Sequence, residues 1–130
     1  LAAARKLKAI PLKVSAPFHC ALMAPAAERM RAELEAVAFG PLEFPVVSNV
    51  EARPNDDPRR VAELLVRQID GAVRWQQTVE LMAAQGVDRA LEIGPGKVLA
   101  GLVKRIDKRI SVHSVGDPES VARLAEARGA

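Results

Sequence analysis

At 130 residues with 49% hydrophobic content, the chain has enough material for one cored domain, and with 3% aromatic residues and no tyrosine that core has to be aliphatic. No apolar run is long enough to cross a bilayer and no charged-then-apolar leader precedes a cleavage site, so a soluble, cytoplasmic protein is expected. The single cysteine, Cys20, excludes an internal disulfide and a thiolate-based zinc cluster, and the formal charge of +3 is a mild basic excess rather than the footprint of a dedicated nucleic-acid binder.

An alanine- and base-rich helical stretch, Ala2 to Ala9, opens the chain without an evident cap, and a start at Leu1 rather than Met suggests that an upstream part has been removed. Leu12 to Ser15 reads as a short strand that Pro17 stops. From Met23 the apolar positions Ala26, Ala27, Met30, Leu34 and Val37 follow the helical period, with Pro25 tolerated in the first turn and an end near Phe39-Gly40. Val46 to Asn49 reads as a buried strand, and the polar, turn-rich stretch Glu51 to Arg60 as a surface loop. Asp57 is the expected N-cap, with Pro58 in the first helical position, of a helix over Val61 to Ile69 that Asp70-Gly71 breaks.

Val73 to Gln85 makes another helix, with Trp75, Val79, Met82 and Ala83 on one face and Gly86 as its stop. Arg89 to Ile93 is a strand, Gly94 to Lys97 a tight turn, Val98 to about Ile106 a helix and Ser111 to Val115 a further strand. Asp117-Pro118 opens a last helix reaching Arg128. Such alternation predicts an α/β fold, a largely parallel sheet with helices on both faces.

His19 therefore lies between the carboxyl end of a strand and the amino end of a helix, where open α/β sheets place their chemistry. The positive pole of a helix amino terminus disfavours a cationic imidazole, and a neutral ring can accept a proton as a general base. The plainer alternative is a histidine that caps the helix or packs in a loop. Gly94-Pro95-Gly96-Lys97 lacks the spacer and the Lys-Ser/Thr ending of a phosphate loop, and reads as a strand-to-helix turn. His113 sits in the buried pattern of a strand, and with no His-Glu-x-x-His or His-x-His pairing a metal site is not expected. None of Ser15, Ser48, Ser111, Ser114 and Ser120 has the Gly-x-Ser-x-Gly setting of a nucleophile elbow, so if His19 is a base its nucleophile is not in this chain. Basic residues cluster as Arg5, Lys6, Lys8 and Lys13, and as Lys97, Lys104, Arg105, Lys108 and Arg109. Without interleaved aromatics they suit an acidic protein or a phosphate-bearing ligand better than nucleic-acid bases.

The run VSAPFHCALMAPAAERM, then PVVSNV, then LLVRQIDGAVRWQQTVELMAAQGVDRALEIGPGKVLAGLVKRI resembles the carboxyl-terminal part of the malonyl-CoA:acyl carrier protein transacylases of fatty acid synthesis. The likeness runs from about Ile10 to Ile106 and extends less sharply to the end. It implies that residues 1–130 are part of one α/β-hydrolase-like acyltransferase domain, with most of a small ferredoxin-like subdomain lying upstream. An upstream Gly-His-Ser-x-Gly serine would attack malonyl-CoA, and the histidine matching His19 would take its proton and later activate the phosphopantetheine thiol of acyl carrier protein. The main-chain carbonyl matching Gln68 would receive the ring's other N–H in place of an aspartate.

The oxyanion donors and the arginine for the malonyl carboxylate would also belong upstream. The fragment alone is then expected to be inactive and poorly folded or aggregation-prone. Phe18 stands where malonyl-preferring acyltransferases commonly carry phenylalanine, and Cys20 reads as small packing. No cofactor is implied, malonyl-CoA being a substrate, and neither a nucleic acid nor a membrane is among the expected partners of what should be a monomer when intact. Lys97, Lys104, Arg105 and Lys108 are candidates for docking the acidic carrier. The alternatives are an acyltransferase domain of a polyketide synthase, with the same chemistry on tethered partners, and a noncatalytic module that uses those basic residues to hold an acidic partner.

Overall fold

The computed structural model describes residues 3–6, 8 and 15–129. Its carboxyl-terminal half is a βαβ unit: β3 (Arg89–Ile93) runs parallel to β4 (Ser111–Val115) in register from Arg89↔Ser111 to Ile93↔Val115, and α4 (Val98–Ile106) makes the crossover. The turn between β3 and α4 needs its glycines, because Gly94 and Gly96 sit at φ 126° and 97°. Gly94 also donates its N–H to the Val115 carbonyl at 3.0 Å. Gly116 closes the approach from the other side, where a Cβ would stand 2.6 Å from the Gly94 oxygen.

Glu92, on β3, folds its carboxylate over the start of α4 and accepts from the N–H groups of Leu99 (2.9 Å) and Ala100 (3.2 Å) and from the Ser114 hydroxyl (3.0 Å). Two orphan amides of the helix are thereby satisfied by an anion at its positive pole. Burial alone would raise the Glu92 pKa, but these hydrogen bonds, Leu99 foremost, leave it below the ordinary glutamate value.

The preceding helix, α3 (Trp75–Ala84), supplies the other side of the core. Val79 and Ala83 pack with Val103 of α4 and Ile110, flanked by Trp75, Met82, Ala90, Ile106 and Val112. The helix stops at Gly86 (φ 81°) in a Schellman arrangement, with Gly86 N–H to the Ala83 oxygen at 3.2 Å and Val87 N–H to the Met82 oxygen at 3.0 Å. A last helix, α5 (Pro118–Gly129), packs on β4; its first turn is capped by Asp117, which accepts from Ser120 N–H at 2.7 Å.

The amino-terminal half holds α1 (Ala24–Glu35) against α2 (Val61–Asp70), with a short antiparallel hairpin between them in sequence, β1 (Val46–Val47) with β2 (Pro54–Asn55). Asp57 caps the approach to α2, accepting from Arg59 N–H at 2.9 Å across a 3-10 turn at Pro58–Arg60. Among the described residues no helix is long and apolar enough to cross a membrane.

The α/β class stands, its parallel part being the β3–β4 pair. Of the strand expected over Leu12 to Ser15, only Ser15 is described, in a bend; the rest lies outside the described residues, as do Ala2, Leu7 and Ala9 of the Ala2 to Ala9 stretch, where Ala3–Arg5 forms one 3-10 turn. Helix α1 ends at Glu35 rather than near Phe39. Ala36 and Val37 bond back to Glu33 and Leu34, which tightens the last turn, and with Val37 49% exposed no burial sustains another. The strand expected over Val46 to Asn49 keeps two residues, and its partner comes from the stretch expected to be loop. Pro54 fits an edge position that asks for no N–H, while Asn55 is buried and donates to the Asp57 carbonyl at 3.0 Å. His113 is exposed, not buried, because the β4 alternation turns Val112 and Ser114 to the half-buried face and Ser111 and His113 to the opposite one, which is covered only at Val115.

Candidate active site

His19 occupies a turn with left-handed backbone, φ 59°, which a non-glycine residue adopts at a cost of about 1 kcal/mol or more. The turn is closed by local bonds: the Cys20 thiol donates to the Pro17 carbonyl at 3.1 Å, and Met23 N–H donates to the Cys20 carbonyl at 2.9 Å. The imidazole crosses to α2, where its Nδ1 lies 2.9 Å from the main-chain oxygen of Gln68.

That oxygen is free for a structural reason. Gln68 lies in the last turn of α2, and the chain leaves the helix at Gly71 with an extended backbone (φ −83°, ψ 152°), its N–H taking the Arg67 oxygen at 3.1 Å. The Gln68 carbonyl is one of the orphan acceptors of a helix carboxyl end, and His19 fills it. A carbonyl can only accept, so Nδ1 carries the hydrogen, and in the neutral ring Nε2 is left with a free lone pair. The tautomer thus follows from a bond at the carboxyl end of α2, not from the helix that His19 precedes.

The end of α2 is pinned by the loop after β1. Arg74 N–H donates to the Asn49 carbonyl at 2.8 Å. Gly71 is pressed so closely that a Cβ would lie 2.5 Å from the Arg67 oxygen and 2.9 Å from Cγ2 of Val50. Glu51 accepts from Arg60 Nη2 at 2.9 Å and from Arg67 Nη1 at 2.7 Å. The Arg60 and then the Arg67 hydrogen bonds hold the Glu51 carboxyl below its usual pKa, and the Arg67 guanidinium is raised by Glu51 and Glu63 in turn.

A groove of about 500 Å³ opens in front of the ring. Phe18, Met30, Leu34 and Leu65 form its apolar wall, with His19, Asn49 and Gln68 as its polar points. Phe18 is 56% exposed there. Sequence reasoning singled out His19, Gln68 and Phe18, which the fold brings together across 49 residues of chain between the first two. It did not single out Asn49, Glu51 and Arg67, although Asn49 and Arg67 stand in the runs PVVSNV and LLVRQ that carry the resemblance; Glu51 is an acid in a polar loop.

Lys97, Lys104, Arg105 and Lys108 are exposed on α4 and its flanks and do not line the groove. Among the described residues no ion pair holds any of the four. Arg109 differs: it wraps onto Asp107 at 2.7 Å, the same Asp-x-Arg clasp that Asp57 and Arg59 make, and it lowers the Asp107 pKa to about 2. Among the described residues no three His, Cys, Asp or Glu side chains gather as a metal site would require. His113 faces a separate surface depression beside Arg89, Ser120 and Arg123.

No family model matches the chain. It is 43% identical over 124 residues, 95% of its length, to the malonyl CoA-acyl carrier protein transacylase of Escherichia coli K12, and covers 40% of that protein. The acyl-carrier-protein-S-malonyltransferase of Bartonella henselae superposes with TM-score 0.86 at 43% identity, over 98% of this chain and 41% of that one. The chain belongs to the malonyl-CoA:acyl carrier protein transacylase family, as a carboxyl-terminal part. It spans about two fifths of the length of the curated transacylases it matches. A further transacylase of the set, solved in complex with a type II PKS acyl-carrier protein, matches with TM-score 0.84 and 46% identity over 92% of this chain and 39% of that one.

Proposed function

We propose that in the intact protein this chain supplies the proton-transferring half of a malonyl-CoA:acyl carrier protein transacylase. The observation that carries the reading is the 2.9 Å contact from His19 Nδ1 to the Gln68 carbonyl, which leaves Nε2 as a proton acceptor at the edge of an open groove. The nucleophile is a serine on the upstream polypeptide. As its oxygen bonds to the malonyl carbonyl, His19 takes the hydroxyl proton, the thioester breaks, and coenzyme A leaves as the thiol with that proton.

In the second half-reaction His19 takes the proton of the carrier's phosphopantetheine thiol, the sulfur displaces the serine ester, and the proton returns to the serine oxygen. Nothing is oxidised or reduced, so the cycle asks for no cofactor. Asp and Glu are not needed behind the imidazole, since the helix-end carbonyl already fixes its tautomer. The fragment alone, without its serine, is inactive, and the whole protein works as a cytoplasmic monomer that meets its carrier by collision.

Phe18, on the groove wall beside His19, takes space that an α-methyl substituent on the acyl group would need, a discrimination worth about 1 to 3 kcal/mol. The exposed Lys97, Lys104, Arg105 and Lys108 are the proposed contact for the acidic carrier protein. A carrier of polyketide type is the second reading, favoured by the similar transacylase solved on such a partner. In the full-length protein, His19→Ala is expected to lower malonyl transfer by about 10² to 10⁴, the range for a lost general base. Near-normal formation and discharge of the malonyl-enzyme in that variant would refute the assignment.

A further inference from the structure

We propose that Glu51, acting through Arg67, is a positioning residue for the His19–Gln68 pair. The proposal rests on the reading of His19 as the proton acceptor and extends it to what aims the ring. His19 is exposed, and across the groove its ring is held by the Gln68 oxygen, so the direction of Nε2 depends on where that oxygen lies. The oxygen belongs to the last turn of a helix, the part of an element most prone to fray.

Glu51 restrains that turn from outside. Its side chain, 17% exposed, bonds two arginines seven positions apart, Arg60 at the entry of α2 and Arg67 in its last turn, and these lie on one face two turns from each other. One carboxylate thus ties both ends of the helix to the loop after β1. Arg67 immediately precedes Gln68, and its own carbonyl receives the Gly71 N–H that closes the turn. The same loop continues the restraint past Gln68, with Val50 against Gly71 and the Asn49 carbonyl on Arg74 N–H.

Arg67 has a second partner, Glu63, at 3.0 Å on its own helix. That pair cannot anchor the helix to anything beyond itself. When the Glu51 charge is removed, Arg67 falls back on Glu63 and the last turn loses its side-chain tether to the loop, keeping the Val50 contact and the Asn49–Arg74 bond beyond Gln68. Partly exposed ion pairs add little to folding free energy, so what changes is chiefly geometry.

The test is Glu51→Gln in the full-length protein, read by steady-state kinetics and by ¹⁵N spectra of labelled histidine. The turnover number should fall roughly 10- to 10²-fold, the scale of a catalytic group misplaced by about 1 Å, while KM for malonyl-CoA holds. The His19 proton should spread from Nδ1 over both ring nitrogens. Arg67→Met should reproduce both changes from the other side of the pair and serves if Glu51→Gln fails to fold; Glu51→Asp should restore part of the turnover. An unchanged turnover number, or a loss with Nδ1 still fully protonated, overturns the proposal. His19→Ala separates the two levels: full activity there sinks the proton-acceptor reading itself, whereas an inert His19→Ala beside an unaffected Glu51→Gln sinks only the positioning role.

Discussion

The β3–α4–β4 core and the surroundings of His19 are built by different means. In the β3–α4–β4 half, Val79, Ala83, Val103 and Ile110 make a shared aliphatic core, Val79 having no exposed surface at all. In the α1–α2 half the apolar side chains near the site stay open, Phe18 at 56%, Met30 at 43% and Leu65 at 37%. What fixes that half around His19 is directional: a carbonyl at a helix end, a glycine contact and a carboxylate between two arginines. Apolar side chains are buried in both halves, Ala27, Leu64 and Val66 among them, but around His19 pointed hydrogen bonds supply the aim while the open wall leaves room for a substrate.

A core substitution breaks this contrast most sharply. Val79→Ala should destabilise the full-length protein by about 2 kcal/mol, from lost burial plus the cavity left behind. Met30→Ala, in the open groove wall, should cost under about 1 kcal/mol because much of that side chain is in water already. Denaturant titration of both variants measures the difference, and equal losses would show that the groove wall is core after all.

Acid tests the polar joints next. The folded-state pKa of Glu92 is depressed, so its contribution is present above the ordinary glutamate value of 4.5 and is lost as pH falls through the folded value. Protonation would take the anion from the start of α4. Glu92→Gln should therefore lower stability at neutral pH and flatten the fall in stability below about pH 4.5, both visible in thermal melts across pH. Asp107, held at about 2 by Arg109, adds a loss in the same direction at lower pH. An unchanged acid slope in the Glu92 variant would mean that its cap does not bind α4 more tightly as the anion.

The same contrast governs what was legible in the sequence. Arg89–Ile93, Val98–Ile106 and Ser111–Val115 stand where periodicity put them, because apolar packing leaves a period in the sequence and two glycines mark the turn. His113 was misplaced because apolar neighbours were read as burial, although strand alternation sends every second side chain outward. The Pro54–Asn55 strand was invisible, since a two-residue pairing with a proline has no pattern of its own. Within the site, His19 stands out by its place ahead of a helix, whereas Gln68 came from the resemblance to a family. Glu51 lies 16 residues before Arg67 in a polar loop, and nothing local in either residue says that they meet.

The smallest effect on folding is expected at the exposed basic residues of the well-packed half. Lys104 and Arg105 occupy the last turn of α4, where positive charge suits the helix pole, so Lys104→Glu with Arg105→Glu should cost about 0.3 to 1 kcal/mol per residue and leave the core in place. Their consequence should instead appear in encounter: a higher KM for acyl carrier protein, most marked at low salt, with malonyl loading from coenzyme A little changed. Neither side chain lines the groove, so a variant that slows both half-reactions equally would deny them a docking role. A selective defect would give the packed half a task of its own: holding the carrier while the loosely walled half, with its pinned imidazole, moves the proton.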